Sequence, residues 1–248
     1  MSLLLNGALI LGWGCSLALA LGSSITHSSV WLLVAMVLLR TQMQTGLFIV
    51  AHDAMHGLIC PDRIKINNAI GALALMVYAG VPYAACHRQH QRHHGQPGTA
   101  DDPDFPSDQR RGVLQWYWQF LLRYLSAGQM LRLLGGWGVL LLLTMTGTTL
   151  GPGGAAVRVL LVVTLPLLLS SWQLFLVGTY LPHRGQRLPE LNAHPISLNL
   201  PPWLSLLACF HFGYHREHHD CPQLAWFELP AQHRRSRSSR HGPGLATA

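Results

Sequence analysis

The sequence predicts an all-α integral membrane protein: about four transmembrane helices, further re-entrant or interfacial helices, and a histidine-rich cap on the cytoplasmic side. Three observations predict it. Half of the 248 residues are hydrophobic and only 11% are charged, where a soluble domain carries about a quarter. Four apolar runs are long enough to cross a bilayer core of about 30 Å. Between and after them come short polar stretches dense in histidine, of which the chain has 15. The length permits one or two soluble domains, but the runs argue for one membrane domain over 1–230, followed by a disordered basic tail over 231–248.

The first run, 3–22, has no basic stretch before it and no A-x-A site leading into a soluble domain, so it reads as a span rather than a cleaved signal. The second, 29–50, is interrupted by Arg40, Thr41, Gln42, Gln44 and Thr45. A charge near mid-bilayer is expensive and faces protein or a cavity. Arg40 therefore reads either as part of a substrate tunnel leading to the histidines or as an arginine buried for helix packing. Two shorter apolar pieces, 69–86 and 201–213, are interrupted or bounded by Val81-Pro82 and Pro201-Pro202 and read as re-entrant or interfacial. The aromatic stretch 112–130, with Trp116, Tyr117, Trp118, Phe120 and Tyr124, suits the membrane interface. The third and fourth spans fall at 132–150 and 157–181.

Of the 17 cationic residues all but Lys65 are arginine. The connectors 23–28 and 151–156 hold none, while 63–65, 88–111, 184–187 and 216–240 hold most of them. The positive-inside rule then puts both termini and the histidine stretches on the cytoplasmic side. The basic charge faces membrane, and no nucleic-acid module is present. The five cysteines show no C-x-x-C and read as free thiols rather than a disulfide framework or zinc ribbon. The tail has almost nothing to bury and suits contact with anionic lipid.

The chemistry is concentrated in three boxes: His52-x-x-x-His56, His90-x-x-His93-His94 and His215-x-x-His218-His219. Positions three and four apart share a helix face, and clustered neutral imidazoles point to metal. On that reasoning His211, one turn before His215, joins the face of the third box. Asp53 does not occupy the general-base position of H-E-x-x-H, which disfavours a zinc protease. Asp53, Asp102 and Asp104 suit the orienting of imidazoles. Asp102 and Asp104 also have a plain reading as turn formers beside Pro103, and Asp101 and Asp108 favour that one. His183, closing the fourth span at the same level, is a ninth candidate ligand, whereas His87, His194, His233 and His241 are set aside. Eight or nine histidines exceed what one ion needs and suit two iron ions with positions open for oxygen, although an all-nitrogen set also accepts zinc. At the cytoplasmic ends of apolar helices, such a cluster can meet a lipophilic substrate from the bilayer and electrons from a soluble donor.

Three boxes in this order resemble the membrane fatty-acid desaturase and hydroxylase superfamily. Within it, Thr45–Gly57, Asp102-Pro103-Asp104-Phe105, Gly178–Arg184 and Phe210–His219 look like the bacterial-type beta-carotene ketolases, over a match from about Thr41 to Pro230. Those proteins usually carry Pro-Trp-Trp where this chain has Ala225-Trp226-Phe227. The resemblance implies O2-dependent oxidation of C4 of a β-ionone ring by two hydroxylations and loss of water. Beta-carotene would give echinenone and canthaxanthin, and hydroxylated substrates astaxanthin. It implies two non-haem irons on His52, His56, His90, His93, His94, His215, His218 and His219, with His183, supported by Asp53, Asp102, Asp104 and His211. It also implies an external donor such as ferredoxin. The rival readings are a fatty-acyl desaturase or hydroxylase, a carotenoid hydroxylase and, from another class, a histidine-rich membrane metal transporter. Transporters bind at broken helices near the bilayer midplane, while these boxes lie at helix ends.

Overall fold

Four helices cross or nearly cross the apolar layer, and the second is the one around which the others pack. The computed structural model describes residues 1–22, 29–105, 112–184 and 195–240, and among these it contains helices and turns but no strand. The long helices are α1 (Ser2–Gly22), α2 (Val30–Met55), α6 (Ala127–Gly147) and α7 (Pro152–His183), each apolar enough to span a membrane. Between α2 and α6 lie α3 (Ile64–Ala79), α4 (Tyr83–Gly95) and α5 (Val113–Tyr124); after α7 come α8 (Pro202–Cys209), α9 (His215–Asp220) and α10 (Leu229–Arg240). The chain is thus a multi-pass, all-helical membrane protein, as its composition predicts.

Most polar groups inside the apolar layer pair with one another, because hydrocarbon offers no alternative partner; Arg40 Nη2 is left without one. Arg40 is fully buried. Its Nε donates to the Val162 carbonyl at 3.2 Å, and its Nη1 donates to the Trp13 carbonyl at 2.9 Å and to Ser16 Oγ at 2.8 Å. Val162 lies in a π-helical turn of α7, Leu160–Thr164, so Arg40 takes up a carbonyl where that helix is locally widened. Of its two sequence readings, the helix-packing one holds. Gln44 accepts from Trp13 Nε1 at 2.7 Å and donates to the Tyr78 carbonyl, tying α1, α2 and α3 together. Thr45 donates to Gln173 Oε1 at 2.6 Å and accepts from the Ser170 hydroxyl at 2.8 Å, which fixes α7 against the same face of α2.

Two expectations need correction. The second span runs on through Met55, so His52 and Asp53 lie inside its last turns, His52 against the rings of His90, Phe212 and His218. The segments 69–86 and 201–213 are broken, as the sequence predicts: 201–213 is α8 followed by a turn from Phe210, and 69–86 spans the junction of two helices. α3 and α4 meet at a bend of 100°, where Gly80 (φ 64°) caps α3 and Pro82 starts the turn into α4. The tail is helical as far as Arg240, because Leu229 and His233 find a buried surface on α9. Residues 23–28, Asp108, 185–187, His194 and His241, with the remainder of the tail, lie outside the described residues.

The closest helix approach lies beneath the first box. A Cβ at Gly71 of α3 would come within 2.5 Å of both the Ala54 Cβ of α2 and the Tyr83 ring. Gly71→Ala should therefore cost about 1–3 kcal/mol by overpacking, seen as a lowered thermal midpoint of the purified protein. Gly14→Ala, inside α1 where nothing lies within 4 Å, should not lower that midpoint and should raise it slightly through helix propensity.

Candidate metal centre

Each box is carried to the centre by a different kind of local structure. His52 sits in the last turns of α2, and His56 is its C-cap. The chain then turns at Gly57 (φ 75°). Asn67 holds that exit in place: its side chain donates to the Ala54 carbonyl at 2.8 Å and accepts from the Ile59 amide at 3.1 Å. The second box lies along α4, and the third along the single short helix α9. His183 ends α7, just after a second π-helical stretch, Leu174–Tyr180. Within that stretch Gly178 leaves room for Phe212, whose ring would stand 3.1 Å from an added Cβ. Phe212 in turn packs edge-on against His52 at 4.5 Å.

The nine histidines separate into two groups whose donor nitrogens lie within 4.8 Å of one another: His52, His56, His90, His94 and His218 in one, and His93, His183, His215 and His219 in the other. The spacing H-x-x-H-H explains the division. In the second box the pair four apart, His90 and His94, enters the first group and His93 the second. In the third box the pair four apart, His215 and His219, enters the second group and His218 the first. Each His-His dipeptide therefore sends one ring to either side, which sets the groups next to each other; the rings of His94 and His219 stack across the boundary at 4.3 Å.

The donor distances fit ions. Nε2–Nε2 separations are 2.8 Å for His56 and His90 and 2.9 Å for His94 and His218. In the second group they are 2.9 Å for His183 and His215, and 3.1 Å from His219 to each of His93 and His215. Two nitrogens at right angles on one ion, each about 2.1 Å away, stand about 3.0 Å apart, against about 3.4 Å in a tetrahedron. Spacings of this order suit nitrogens that would share one ion, so each group has the donors that a metal site needs.

Electrostatics keep most of the donors neutral; His93 is the exception, where burial pulls down but the hydrogen bond to Asp102 holds the imidazole above its ordinary value. Burial pushes the His56 imidazole down to about 4. Burial and then neighbouring imidazoles hold His215, His218 and His219 well below the ordinary value. Asp102 orients His93, with its two oxygens 2.9 and 3.0 Å from Nδ1, which turns Nε2 towards the second group. Burial alone would raise the Asp102 carboxyl, but hydrogen bonds from His93, then from the Gly98 and Asp104 amides, hold it below the usual range. It is the ionised partner such an imidazole needs.

Other expected residues stand further off. Asp53 lies 4.0 Å from His52 Nδ1, beyond hydrogen-bond reach. Asp104 contacts no ring nitrogen; it accepts from the Tyr124 hydroxyl at 2.7 Å and lines the adjoining cavity. His211 belongs to neither group. The expected helical face ends before it, because Phe210 and His211 both take left-handed backbone (φ 46° and 67°), and the ring stacks on Tyr214 and Trp226 instead. Sequence reasoning missed Asn67, Phe212 and Glu217. Glu217, buried inside the third box, accepts from Ser197 and sits 3.1 Å from His233 Nδ1. A carboxylate between His215 and His218 was a legible signal; Phe212 was not, since nothing local distinguishes it from a core residue.

A cavity of about 830 Å³ leads to both groups. Its inner end is formed by His52, His90, His93 and His215, and its walls are mostly apolar, from Phe48, Leu133 and Trp137 to Leu167. The polar side chains on its walls include Tyr117, which shares a hydrogen bond with Ser171 at 3.0 Å, and Gln44, paired as described above.

Helical spans, paired metal-binding histidine groups and an apolar cavity between them define a membrane-bound, metal-dependent enzyme of lipophilic substrates. The model of the fatty acid desaturase family matches residues 26–246, and the chain belongs to that family. Among curated proteins it is similar to the beta-carotene ketolase of Paracoccus sp. (strain N81106), 38% identical over 93% of this chain and 91% of that protein. The beta-carotene ketolase of Paracoccus sp. (strain PC1) is likewise 38% identical, over 91% and 93%. The zeaxanthin 4-ketolase of Chlamydomonas reinhardtii is 34% identical over 94% of this chain and 51% of its own length.

Free imidazole takes a proton near 6.5, His56 only near 4, and His215, His218 and His219 well below the ordinary value. Between those values the unfolded chain binds more protons, so the metal-free protein should lose stability as pH falls from about 6.5 to about 4. Thermal melts of chelator-treated protein across that window check this. A midpoint that rises on acidification would contradict it.

Proposed function

We propose that the chain is a beta-carotene ketolase, oxidising the C4 methylene of a β-ionone ring to a ketone. The observation that carries the reading is the apolar cavity ending on two histidine groups, in a chain whose relatives over nine-tenths of its length are ketolases. A cavity of this size with hydrocarbon-like walls accepts an apolar ring and polyene, and excludes water from the reacting carbon.

The metal would be a pair of non-haem irons, held by His52, His56, His90, His94 and His218 on one side and by His93, His183, His215 and His219 on the other. Such a pair supplies the activation of O2 and the removal of an allylic hydrogen. Two hydroxylations at one carbon, each consuming one O2, two electrons and two protons, followed by loss of water, give the ketone. The electrons come from a soluble donor on the face that carries the boxes, which the arginine distribution puts on the cytoplasmic side.

This chain's own part is positional. Asp102 fixes the tautomer of His93, Asn67 fixes the end of α2, and Phe212 closes the cavity floor against His52. Of the polar cavity groups, Gln44, Tyr117 and Ser171 are engaged with other side chains or backbone, whereas Gln129 Oε1 is buried on the wall without a partner.

Carotene-accumulating cells expressing this chain should form echinenone and canthaxanthin, and cells expressing His215→Ala should not. Unchanged beta-carotene beside folded, metal-loaded wild type would refute the ketolase reading and move the substrate to an acyl chain. Metal analysis separates the two groups: wild type should carry two irons per chain, and His94→Ala or His183→Ala about one. Asp102→Asn should retain iron but lose about 10–100-fold in turnover or metal affinity.

A further inference from the structure

A second concavity, of about 550 Å³, opens where α8 and α10 meet, one layer outside the third box. Its floor is apolar, formed by Leu200, Pro201, Pro202 and Tyr214, and its rim carries Arg234 and Arg237. Arg237 donates to Asn199 Oδ1, which holds the guanidinium at the mouth of the groove. The described part of α10 beyond Leu229 contains no acidic residue. Beside the groove, the outer face of α8 presents Trp203 and Leu207 at 65% and 58% exposure. An exposed tryptophan beside exposed leucine, on a helix starting at Pro202, marks the boundary between headgroups and acyl chains.

His233 connects this groove to the centre. The ring is buried, lines the groove, and stacks on Tyr214 at 4.2 Å, and its Nε2 has no hydrogen-bond partner. A buried polar atom without a partner is uncommon. Its other nitrogen faces Glu217 at 3.1 Å.

We propose that this groove binds the phosphate of an anionic phospholipid, with the acyl chains running over Trp203 and Leu207. Arginine suits the phosphate because its planar fork meets two oxygens at once. The adjoining apolar floor and lipid-facing helix distinguish a lipid from an acidic protein, which needs charge but no route for a chain. The bound lipid would fasten α10 to the membrane surface and, through His233 and Glu217, brace α9. This inference is independent of the ketolase reading and is tested without turnover.

Native mass spectrometry of the iron-loaded full chain, offered equal phosphatidylglycerol and phosphatidylcholine, should show selective retention of phosphatidylglycerol. Arg234→Gln with Arg237→Gln should weaken that selectivity by roughly tenfold, from two cation contacts near an anionic headgroup. Arg235→Gln, on a residue outside the groove, should leave it intact. Equal retention of the two lipids by the wild type would overturn the proposal, as would undiminished selectivity in the double variant. So would displacement of the lipid by inorganic phosphate at constant ionic strength, which would make this a site for the free anion. Protection of Arg234 and Arg237 from chemical modification by a small acidic redox protein, but not by phosphatidylglycerol, would reassign the face to electron-donor docking.

Discussion

Nine imidazoles gathered at one level, with ring nitrogens 2.8 to 3.1 Å apart, impose a constraint that the rest of the protein answers. Two neutral lone pairs cannot face each other at that separation without a cation or a proton between them. A neutral N–H···N bond can bridge a single pair, but five and four rings converging in two groups leave inward nitrogens unmatched, so the arrangement suits metal. Everything around the groups then serves either to hold the donors there or to bring an apolar molecule to them.

The holding begins in the apolar layer. Of the polar residues α2 carries from Arg40 to Thr45, Arg40, Gln42, Gln44 and Thr45 are spent on neighbouring helices, and Thr41 on the Val37 carbonyl of α2 itself. These bonds are worth most where water is absent, and a slip of one helix against α2 would leave several of them unmade. Such a framework fixes the height of His52 and His183, at the ends of two different spans, relative to the two boxes on short helices. The π-helical turns of α7 belong to the same device. One gives its carbonyl to Arg40, and the other carries Gly178 past Phe212.

Much of this was legible in the sequence because membranes simplify inference: apolar run length and the level of the boxes give the spans, and the i, i+3, i+4 spacing gives the clustering. What the spacing could not give is which histidine joins which group. That depends on α4 and α9 approaching from different directions, so that equivalent positions of two identical patterns exchange roles. His211 shows the limit of periodicity, since the argument assumed a continuous helix and two left-handed residues end it. His233 shows the limit of composition. An arginine- and serine-rich segment looks unable to bury anything, yet one imidazole against Tyr214 and one leucine are enough to seat its helix on the rest of the protein.

The wall of the main cavity also bears on how the protein meets its substrate. α6 contributes Leu133, Trp137 and Leu140 to the lining, yet Leu131, Leu134, Leu142 and Leu143 on the same helix are exposed to the apolar layer. A single helix, with open space beside Gly135, Gly136 and Gly138, thus divides the cavity from the bilayer. A molecule approaching through it travels in two dimensions. What sets occupancy is then its mole fraction among the lipids, so that diluting the membrane with more phospholipid slows the protein as surely as removing substrate.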